Sequence, residues 1–153
     1  MGRVKTLLDK NGNKIIEDEY GRTHFSLTEN EGVVILAKDE DSFLLIEQFR
    51  QPVGSYIVQL PGGGVEQGES LEQAAKREFL EETGYECGIV HYLGKLLPAP
   101  WRSNEITHVF YTEEVGSNIH QQLESHEKIK VIKMDVRDCL KQVKKNKIND
   151  SEL

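Results

Sequence analysis

Residues 62–64 are three consecutive glycines, and they join a strand-like segment to a helix whose two ends are clearly marked. The segment before them, residues 56–60, has the composition of a strand. The helix after them begins at Ser70, because Ser70 and Gln73 have the spacing of a capping box, and it ends before Gly84. A glycine run alone is often only a turn. Between these two elements it also lets a ligand approach the main chain, and its carbonyl groups can bind a metal.

Three glutamates of this predicted helix, residues 70–82, lie on or beside its apolar face. Glu78 and Glu82 are four residues apart, so they are neighbours that repel each other unless a cation lies between them. A Glu-rich helix is more often a solvated acidic face. A buried unpaired charge is costly, however, and hard divalent ions, above all Mg²⁺, prefer oxygen ligands. Projected at about 100° per residue, the apolar arc contains Leu71, Ala74, Ala75, Glu78, Phe79 and Glu82, with Glu81 at its edge.

The charge balance restricts the kind of partner. The 153 residues have a formal net charge of −7, so no basic excess is available to neutralise many phosphates, and nucleic acid is not an expected partner. An acidic protein that handles phosphates needs a metal ion or a few well-placed arginines. The length is sufficient for one domain with its own core.

Cysteine usage and hydropathy suggest the compartment. Cys87 and Cys139 are far apart and match no metal-ligand spacing, so we expect reduced thiols, as in a cytoplasmic protein. The sequence has no signal-like N-terminal segment and no apolar run of membrane-spanning length, so no membrane partner is expected.

The rest of the chain predicts a mixed α/β fold of the α+β kind. Short strands at residues 4–8 and 14–16 around an Asn11-Gly12 turn, with a further strand at 23–27, form a small N-terminal β-hairpin appendage over residues 1–30. The main domain, residues 31–153, has strands on both sides of the central helix, which suggests a sheet packed between helices. Its other predicted elements are strands at 32–37, 43–49, 89–97, 106–112 and 129–134 and a last helix at 135–143.

The spacing of residues 63–85 matches a known signature. Gly63 is followed after five residues by Glu69, and after seven more by Arg77-Glu78-Phe79-Leu80-Glu81-Glu82-Thr83-Gly84-Tyr85. Every fixed position of the Nudix box is present, and only the aromatic residues in its two hydrophobic slots are unusual. The chain therefore resembles the Nudix hydrolases. The resemblance implies the Nudix fold, a mixed β-sheet sandwiched between helices, and hydrolysis of a nucleoside diphosphate linked to another group.

The resemblance also implies roles for residues of the box. Arg77 matches the arginine that orients the glutamates through charge-assisted hydrogen bonds, and Glu69 matches the glutamate that supports the loop and the helix. Gly63 is expected beside the substrate, where only a glycine allows close approach. The metal ligands implied in this segment are the Gly62 carbonyl group, Glu78, Glu81 and Glu82.

Outside the box the chain resembles the ADP-ribose pyrophosphatases. The segment 47–52 is similar to one whose arginine, here Arg50, touches the substrate's phosphates, and Pro100 lies near a downstream proline typical of this group. Glu127 matches a loop glutamate that reaches the metals, and Trp101 is a candidate for stacking on the base. Each has a plainer explanation: Arg50 as a surface cation, Trp101 as loop packing and Glu127 as a solvated residue.

The chain departs from this subfamily at two positions near the loop. Gln59 and Gly62 stand where the subfamily more often has Glu and Ala, which leaves the identity of the substrate open. His126 is a candidate for assisting proton transfer, whereas His108 is expected to be structural.

The implied reaction uses Mg²⁺, with Mn²⁺ as a substitute, to assist attack of water on the pyrophosphate. For ADP-ribose the products are AMP and ribose 5-phosphate. Another nucleoside diphosphate sugar, a nucleoside triphosphate, or a role as a non-catalytic Nudix-fold ligand sensor are the alternatives, and the complete glutamate cluster argues against the sensor. The resemblance further implies a homodimer in which the N-terminal strands pack across subunits. The residues expected to act in catalysis are Arg77, Glu81, Glu82 and Glu127.

Overall fold

A seven-stranded mixed sheet with a helix on each face forms the centre of the protein, as seen in a computed structural model that describes residues 3–153. This arrangement confirms the predicted mixed sheet between helices. The elements in chain order are β1 (Lys5–Lys10), β2 (Asn13–Glu17), β3 (Thr23–Ser26), β4 (Glu31–Asp39), β5 (Ser42–Arg50), β6 (Ser55–Gln59), β7 (Gly62–Gly64), α1 (Leu71–Thr83), β8 (Tyr85–Cys87), β9 (His91–Leu96), β10 (Ile106–Thr112), β11 (Val115–Asn118), β12 (Ile129–Asp135) and α2 (Val136–Lys144).

The two central strands of the sheet separate part of the way along their length. The strand order is β12-β5-β4-β10-β9, with β4 parallel to β10 and the other neighbours antiparallel. β4 and β5 pair only next to their connecting turn, between the Ala37–Leu44 pair and the turn itself. Beyond that point β5 pairs with β6, and β4 pairs with β7. Because β7 is the glycine run, this split brings the glycines into the middle of the sheet.

Alternate residues of β4 fill two separate cores. Val33, Ile35 and Ala37 pack in the cluster on the side of α1, whereas Val34 and Leu36 pack on the other side with residues of α2 and the C-terminal tail. Successive side chains of a strand point to opposite faces. A strand buried on both faces therefore has the continuous apolar run that the sequence shows at residues 32–37.

The N-terminal strands form their own three-stranded sheet. Asn11 has a φ of 54° and Gly12 a φ of 85°, the positive values that a tight hairpin turn requires, so the predicted Asn-Gly turn is confirmed. β3 completes the sheet, in the order β1-β2-β3, and β1 is exposed along its whole length. The main body holds this sheet through the N–H of Phe25, which donates to the carbonyl of Arg102 at 2.7 Å.

The strand predicted at residues 89–97 is present as β9, which covers His91–Leu96. The sequence did not predict β8 and β11, which pair with each other as a separate two-stranded sheet. The last helix is confirmed; Asp135 caps it by accepting hydrogen bonds from the N–H groups of Arg137 and Asp138. Among residues 3–153, no helix combines the length and apolar character needed to cross a membrane.

Candidate active site

Helix α1 has both of the predicted ends. The Ser70 side chain accepts from the Gln73 N–H while the Gln73 side chain accepts from the Ser70 N–H, and Gly84 ends the helix in the left-handed conformation with φ 77°. Glu82 belongs to the buried face, with only 3% of its surface exposed, and the Glu78 side chain is 14% exposed. The predicted position of these carboxylates on the packed side of the helix is therefore confirmed.

The glycine run lies directly against these carboxylates. The N–H of Gly62 donates to the Glu82 carboxylate at 2.7 Å. A Cβ at Gly63 would lie 2.5 Å from the carboxyl carbon of Glu78, and a Cβ at Gly62 would lie 2.0 Å from the carbonyl oxygen of Val33. The Val33 oxygen is backbone and cannot move aside, whereas the Glu78 carboxylate is the end of a flexible side chain that would have to shift. The strand can approach the loop this closely only because residue 62 is a glycine.

Arg77 links the loop to the helix. Its Nε donates to Glu69 at 2.8 Å and its Nη2 donates to the other Glu69 oxygen at 3.1 Å, which forms a bidentate pair. Nη1 donates to Glu78 at 2.7 Å and to Glu81 at 3.2 Å, and Nη2 also donates to the Gly64 carbonyl at 2.9 Å. The same arginine holds the pKa of Glu69 below its usual range. This geometry supports the orienting role predicted for Arg77 and the supporting role predicted for Glu69.

The two carboxylates on the buried side of the helix are costly to ionise in the protein alone. The pKa of Glu82 is raised to about 8, chiefly by burial and also by the charges of Glu78 and Glu127, while the Gly62 hydrogen bond and Arg50 oppose the shift. Burial also raises the pKa of Glu78, although Arg77 opposes this. Glu82 has no direct side-chain cation among the described residues. A cluster of carboxylate oxygens of this kind suits a hard divalent cation.

A loop anchored on the end of α1 closes one side of the site. The last carbonyl groups of a helix lack partners within the helix. Here the Gln122 N–H donates to the Glu81 carbonyl at 2.8 Å, and Gln121 Nε2 donates to the Glu82 carbonyl at 2.6 Å. The Ile119 N–H donates to the Gly84 carbonyl at 2.6 Å. These bonds direct the following segment, residues 122–127, back over the carboxylates of the helix.

Glu127 reaches the site through this loop. Its carboxylate accepts from the N–H of Glu124 at 2.9 Å, and its charge raises the pKa of both Glu78 and Glu82. The ligand atoms of Glu124, His126 and Glu127 lie within 4.8 Å of one another. Glu127 thus lines the same cavity as Glu78, Glu81 and Glu82, and its role at a metal stays a prediction.

These elements line a cavity of about 910 Å³, a volume within the range of pockets that bind small molecules. Arg50, at the end of β5, also lines this cavity. Its Nε donates to Gln59 Oε1 at 2.6 Å, and Gln59 Nε2 donates to Asp150 at 2.8 Å. A second cavity of about 260 Å³ lies on the other side of the glycine run and shares Arg50 and residues 62–64 with the first.

Two of the predicted substrate contacts lie elsewhere. Pro100 and Trp101 line neither of these cavities, and Trp101 is 78% exposed. Their segment is held beside the N-terminal sheet, because Arg102 accepts from the Phe25 N–H and Ser103 forms a bridge to Phe25. Within one chain, the expected contact of Pro100 and Trp101 with a ligand at the glutamates is therefore not formed.

His108 is structural, as expected, because both of its ring nitrogens have partners. Nδ1 lies 2.9 Å from the Tyr92 hydroxyl and Nε2 lies 3.1 Å from a Glu31 carboxylate oxygen. His126, in contrast, lines the large cavity.

Several residues that shape the site were not predicted from the sequence. Gln48 is buried on β5 and lines the large cavity, and the alternation of β5 alone would place it on the side of Leu44 and Ile46. Gln121 and Asp150 act through contacts with residues 39 and 91 positions away in the chain. No local pattern in the sequence indicates those contacts.

Comparison with known proteins identifies a family. A family model described as NUDIX domain matches residues 28–151. The ADP-ribose pyrophosphatase of Bacillus subtilis (strain 168) is 32% identical over 120 residues, which cover 78% of this chain and 65% of that protein. The methanol dehydrogenase activator of Bacillus methanolicus is 31% identical over 120 residues, with the same coverage of 78% and 65%. The chain thus spans about two thirds of the length of these relatives.

A solved structure described as an ADP compounds hydrolase has the same fold. It superposes with a TM-score of 0.80, covers 97% of this chain and 84% of its own, and is 19% identical in sequence. At this level of identity the likeness concerns the fold.

Proposed function

Because this chain belongs to the Nudix family, we propose that it hydrolyses the pyrophosphate bond of a nucleoside diphosphate linked to another group, with ADP-ribose as its substrate. The observation that carries the proposal is the pair of buried Glu82 and half-buried Glu78, held against the glycine run, in which Glu82 has no side-chain cation as a partner among the described residues. The products from ADP-ribose are AMP and ribose 5-phosphate.

The oxygen atoms of the site are the ones we propose to hold Mg²⁺, or Mn²⁺ in its place. They are the carboxylates of Glu78, Glu82 and Glu81, the Gly62 carbonyl group, and the carboxylate of Glu127. When bound there, the cation supplies positive charge against the diphosphate and makes the attacking water more acidic. The donor set consists of oxygen atoms, which is the preference of hard divalent ions.

The protein's own groups contribute orientation and proton transfer. Arg77 fixes the directions of Glu78 and Glu81, and the Gly62 N–H fixes that of Glu82. Preorganised groups of this kind need no rearrangement when charge develops in the transition state. Glu127, or Glu81 or Glu82 of the box, accepts the proton from the attacking water. Glu127 belongs to the loop of residues 122–127 and lines the same cavity as the box glutamates.

Arg50 is the group that we propose to bind the substrate's phosphates. It lines the large cavity, and the guanidinium group of an arginine can donate two parallel hydrogen bonds to phosphate oxygens. Gly63 lets the ligand approach the main chain. The ADP-ribose pyrophosphatase of Bacillus subtilis, similar over 78% of this chain, supports the choice of ADP-ribose.

The test is a product-resolved assay. The full chain is incubated with Mg²⁺ and, in separate reactions, ADP-ribose, a GDP-sugar and nucleoside triphosphates, and the products are separated and quantified. We expect the highest kcat/KM on ADP-ribose with equal amounts of AMP and ribose 5-phosphate. Glu82→Gln should abolish turnover, while Glu72→Gln, an exposed position on the same helix, should leave it unchanged. Full activity of Glu82→Gln would refute the assignment.

Two alternative functions have distinct outcomes in the same assay. Preference for another nucleoside diphosphate sugar or for a triphosphate would keep the reaction but change the substrate. Binding of ADP-ribose with Mg²⁺ and no product would indicate a ligand sensor. The intact contacts of Arg77 with three glutamates favour the enzyme, because a sensor needs no complete hydrolytic cluster.

We also propose a homodimer that covers the N-terminal sheet. Val4, Leu8 and Phe25 are exposed there, and Trp101 is held beside them by the contact of Arg102 with Phe25. A cluster of exposed apolar side chains is typical of an interface. Sedimentation should give a dimer, and Leu8→Lys with Trp101→Lys should give a monomer. Leu140→Lys, at an exposed position on α2, is the control that should remain dimeric.

The cytoplasm is the compartment we propose. Both cysteines are free thiols, and Cys139 is buried, as expected where thiols stay reduced.

A further inference from the structure

The side-chain oxygen of Gln48 is buried without a hydrogen-bond partner. It is the one buried side-chain nitrogen or oxygen among residues 3–153 that lacks a partner, and only 8% of the residue is exposed. Buried polar groups are nearly always hydrogen-bonded, because an unsatisfied one loses its bonds to water and gains nothing. An orphan atom of this kind therefore calls for a specific explanation.

The position of Gln48 is at the large cavity. Alternation along β5 puts it on the same side of the sheet as Leu44 and Ile46, the side on which α1 packs. Gln48 follows the apolar residues Leu44 and Ile46 on this face of β5, and it lines the cavity that also contains Glu78 and Glu82. An apolar side chain would continue the row without an unsatisfied atom, so a core role alone does not account for an amide.

The neighbouring groups do not supply a donor. The glutamates that line this cavity are acceptors when ionised, and an amide oxygen is an acceptor as well. Arg50, two residues further along β5, donates its Nε to Gln59 instead. No donor of the protein reaches this oxygen in the structure, and a donor bound in the cavity can supply the missing partner.

We propose that Gln48 Oε1 is a further positioning group for the divalent cation and accepts a hydrogen bond from its hydration shell. This inference rests on the proposed function, which places Mg²⁺ among the carboxylates of the same cavity. Mg²⁺ gives up its water reluctantly and is usually held by one or two carboxylates together with several waters. Outer partners of this kind fix the direction of those waters.

The proposal predicts opposite effects of one substitution on two properties. Gln48→Met keeps nearly the same length and removes the orphan oxygen, so the protein without divalent ions should be as stable as the wild type or more stable. The same change should weaken Mg²⁺ binding by about tenfold, the lower end of the loss seen for outer-shell partners of metals. A purely structural glutamine would give the reverse pattern.

The experiment measures thermal unfolding of the full chain, first with a chelator and then in titrations with Mg²⁺ alone and with Mn²⁺ alone. The expected result is an unchanged or higher Tm for Gln48→Met in chelator, and a metal titration displaced to about tenfold higher concentration. Gln142→Met, on α2 and away from the cavity, is the control that should titrate like the wild type.

A second variant covers the case in which Gln48→Met does not fold. Gln48→Glu adds a carboxylate to the cavity that Glu78 and Glu82 line, so it should lower the Tm in chelator and increase the rise in Tm on adding Mg²⁺. If either folded variant titrates with metal as the wild type does, the inference is overturned while the proposed function stands. If the wild type itself shows no response to Mg²⁺ or Mn²⁺ while it still hydrolyses ADP-ribose without them, both the metal assignment and the role of Gln48 are overturned.

Discussion

The N–H of Gly62 donates a hydrogen bond of 2.7 Å to the carboxylate of Glu82, a residue 20 positions later in the chain. This bond joins the strand end of the glycine run to the buried face of α1. Its donor is fixed main chain, so the carboxylate has one defined direction before any ligand binds. Only 3% of Glu82 is exposed, so its carboxylate has lost most of its contact with water and has this single N–H group as a donor instead.

The stability of the metal-free protein should fall as the pH rises toward 8. Burial raises the pKa of Glu82 from 4.5 to about 8, so the folded protein holds this proton more tightly than the unfolded chain does. The stabilisation by this proton is complete below the pKa of Glu82 in the unfolded chain. It is lost as the pH rises through the pKa of Glu82 in the folded protein. Thermal unfolding in chelator from about pH 5 to about pH 9 should show this loss for the wild type.

The comparison of two variants isolates Glu82 in that experiment. Glu82→Gln carries no titrating carboxyl group and should show a flatter dependence of Tm on pH over the same range. Glu72→Gln, at an exposed position on the same helix, should follow the wild type. A wild-type curve as flat as that of Glu82→Gln would contradict the raised pKa.

Gly62→Ala should destabilise the fold. The added Cβ would meet the Val33 carbonyl oxygen at 2.0 Å, and this oxygen belongs to the backbone of a central strand that cannot rotate away. Forcing atoms into a packed site typically costs about 1–3 kcal/mol. Denaturant unfolding measures the change. Gly64→Ala is the matched control in the same loop, because nothing lies within 4 Å of its Cβ, and it should be nearly neutral. Equal stability of the two variants would contradict this expectation, because it would show that the loop can move to avoid the contact with the Val33 oxygen.

Local patterns were sufficient to predict the centre of this site. The capping box, the final glycine and the positions of Glu78 and Glu82 on the apolar arc all depend on spacing within about one helix, and all are confirmed. The Asn11-Gly12 hairpin belongs to the same class, since its turn requires the positive φ that these two residues tolerate. Each of these features is decided by neighbours in the chain.

Features that depend on topology could not be predicted in this way. The split between β4 and β5 opens the sheet next to Gln48, and no local pattern encodes a split. The contact of Gln121 with the Glu82 carbonyl joins residues 39 positions apart. Trp101 lies outside the cavities because its segment is tied to the N-terminal sheet, a packing relationship that its Pro-rich sequence does not indicate.

Arg77→Lys should reduce turnover strongly while the charge is conserved. Lysine keeps the positive charge but lacks the planar fork that contacts Glu69, Glu78 and Glu81 at once. The loss of an orienting partner next to metal ligands typically costs about 10–100-fold in activity. Steady-state kinetics with ADP-ribose and Mg²⁺ measure the effect on kcat. Lys76→Arg, the neighbouring exposed position paired with Glu72, should have wild-type kinetics. Unchanged kcat in Arg77→Lys would mean that charge alone is sufficient.

Gln59 should affect substrate binding through Arg50, because its amide connects Arg50 to the C-terminal segment. Oε1 accepts from Arg50 at 2.6 Å, and Nε2 donates to Asp150 at 2.8 Å. Gln59→Leu removes both bonds, and a lost hydrogen bond to a charged group is worth roughly 1.5–3 kcal/mol. The KM for ADP-ribose should therefore rise by about tenfold or more with little change in kcat.

The pairing of Gln59 with Asp150 offers a rescue that a general loss of packing would not show. Gln59→Glu keeps an acceptor for Arg50 but turns a carboxylate toward Asp150, and two facing carboxylates repel. We expect this variant to raise KM as Gln59→Leu does. Adding Asp150→Asn restores a donor opposite the new carboxylate, so the double variant Gln59→Glu/Asp150→Asn should return KM close to the wild-type value, while Asp150→Asn should not rescue Gln59→Leu. If the double variant binds no better than Gln59→Glu alone, Asp150 does not hold Arg50 in place through Gln59.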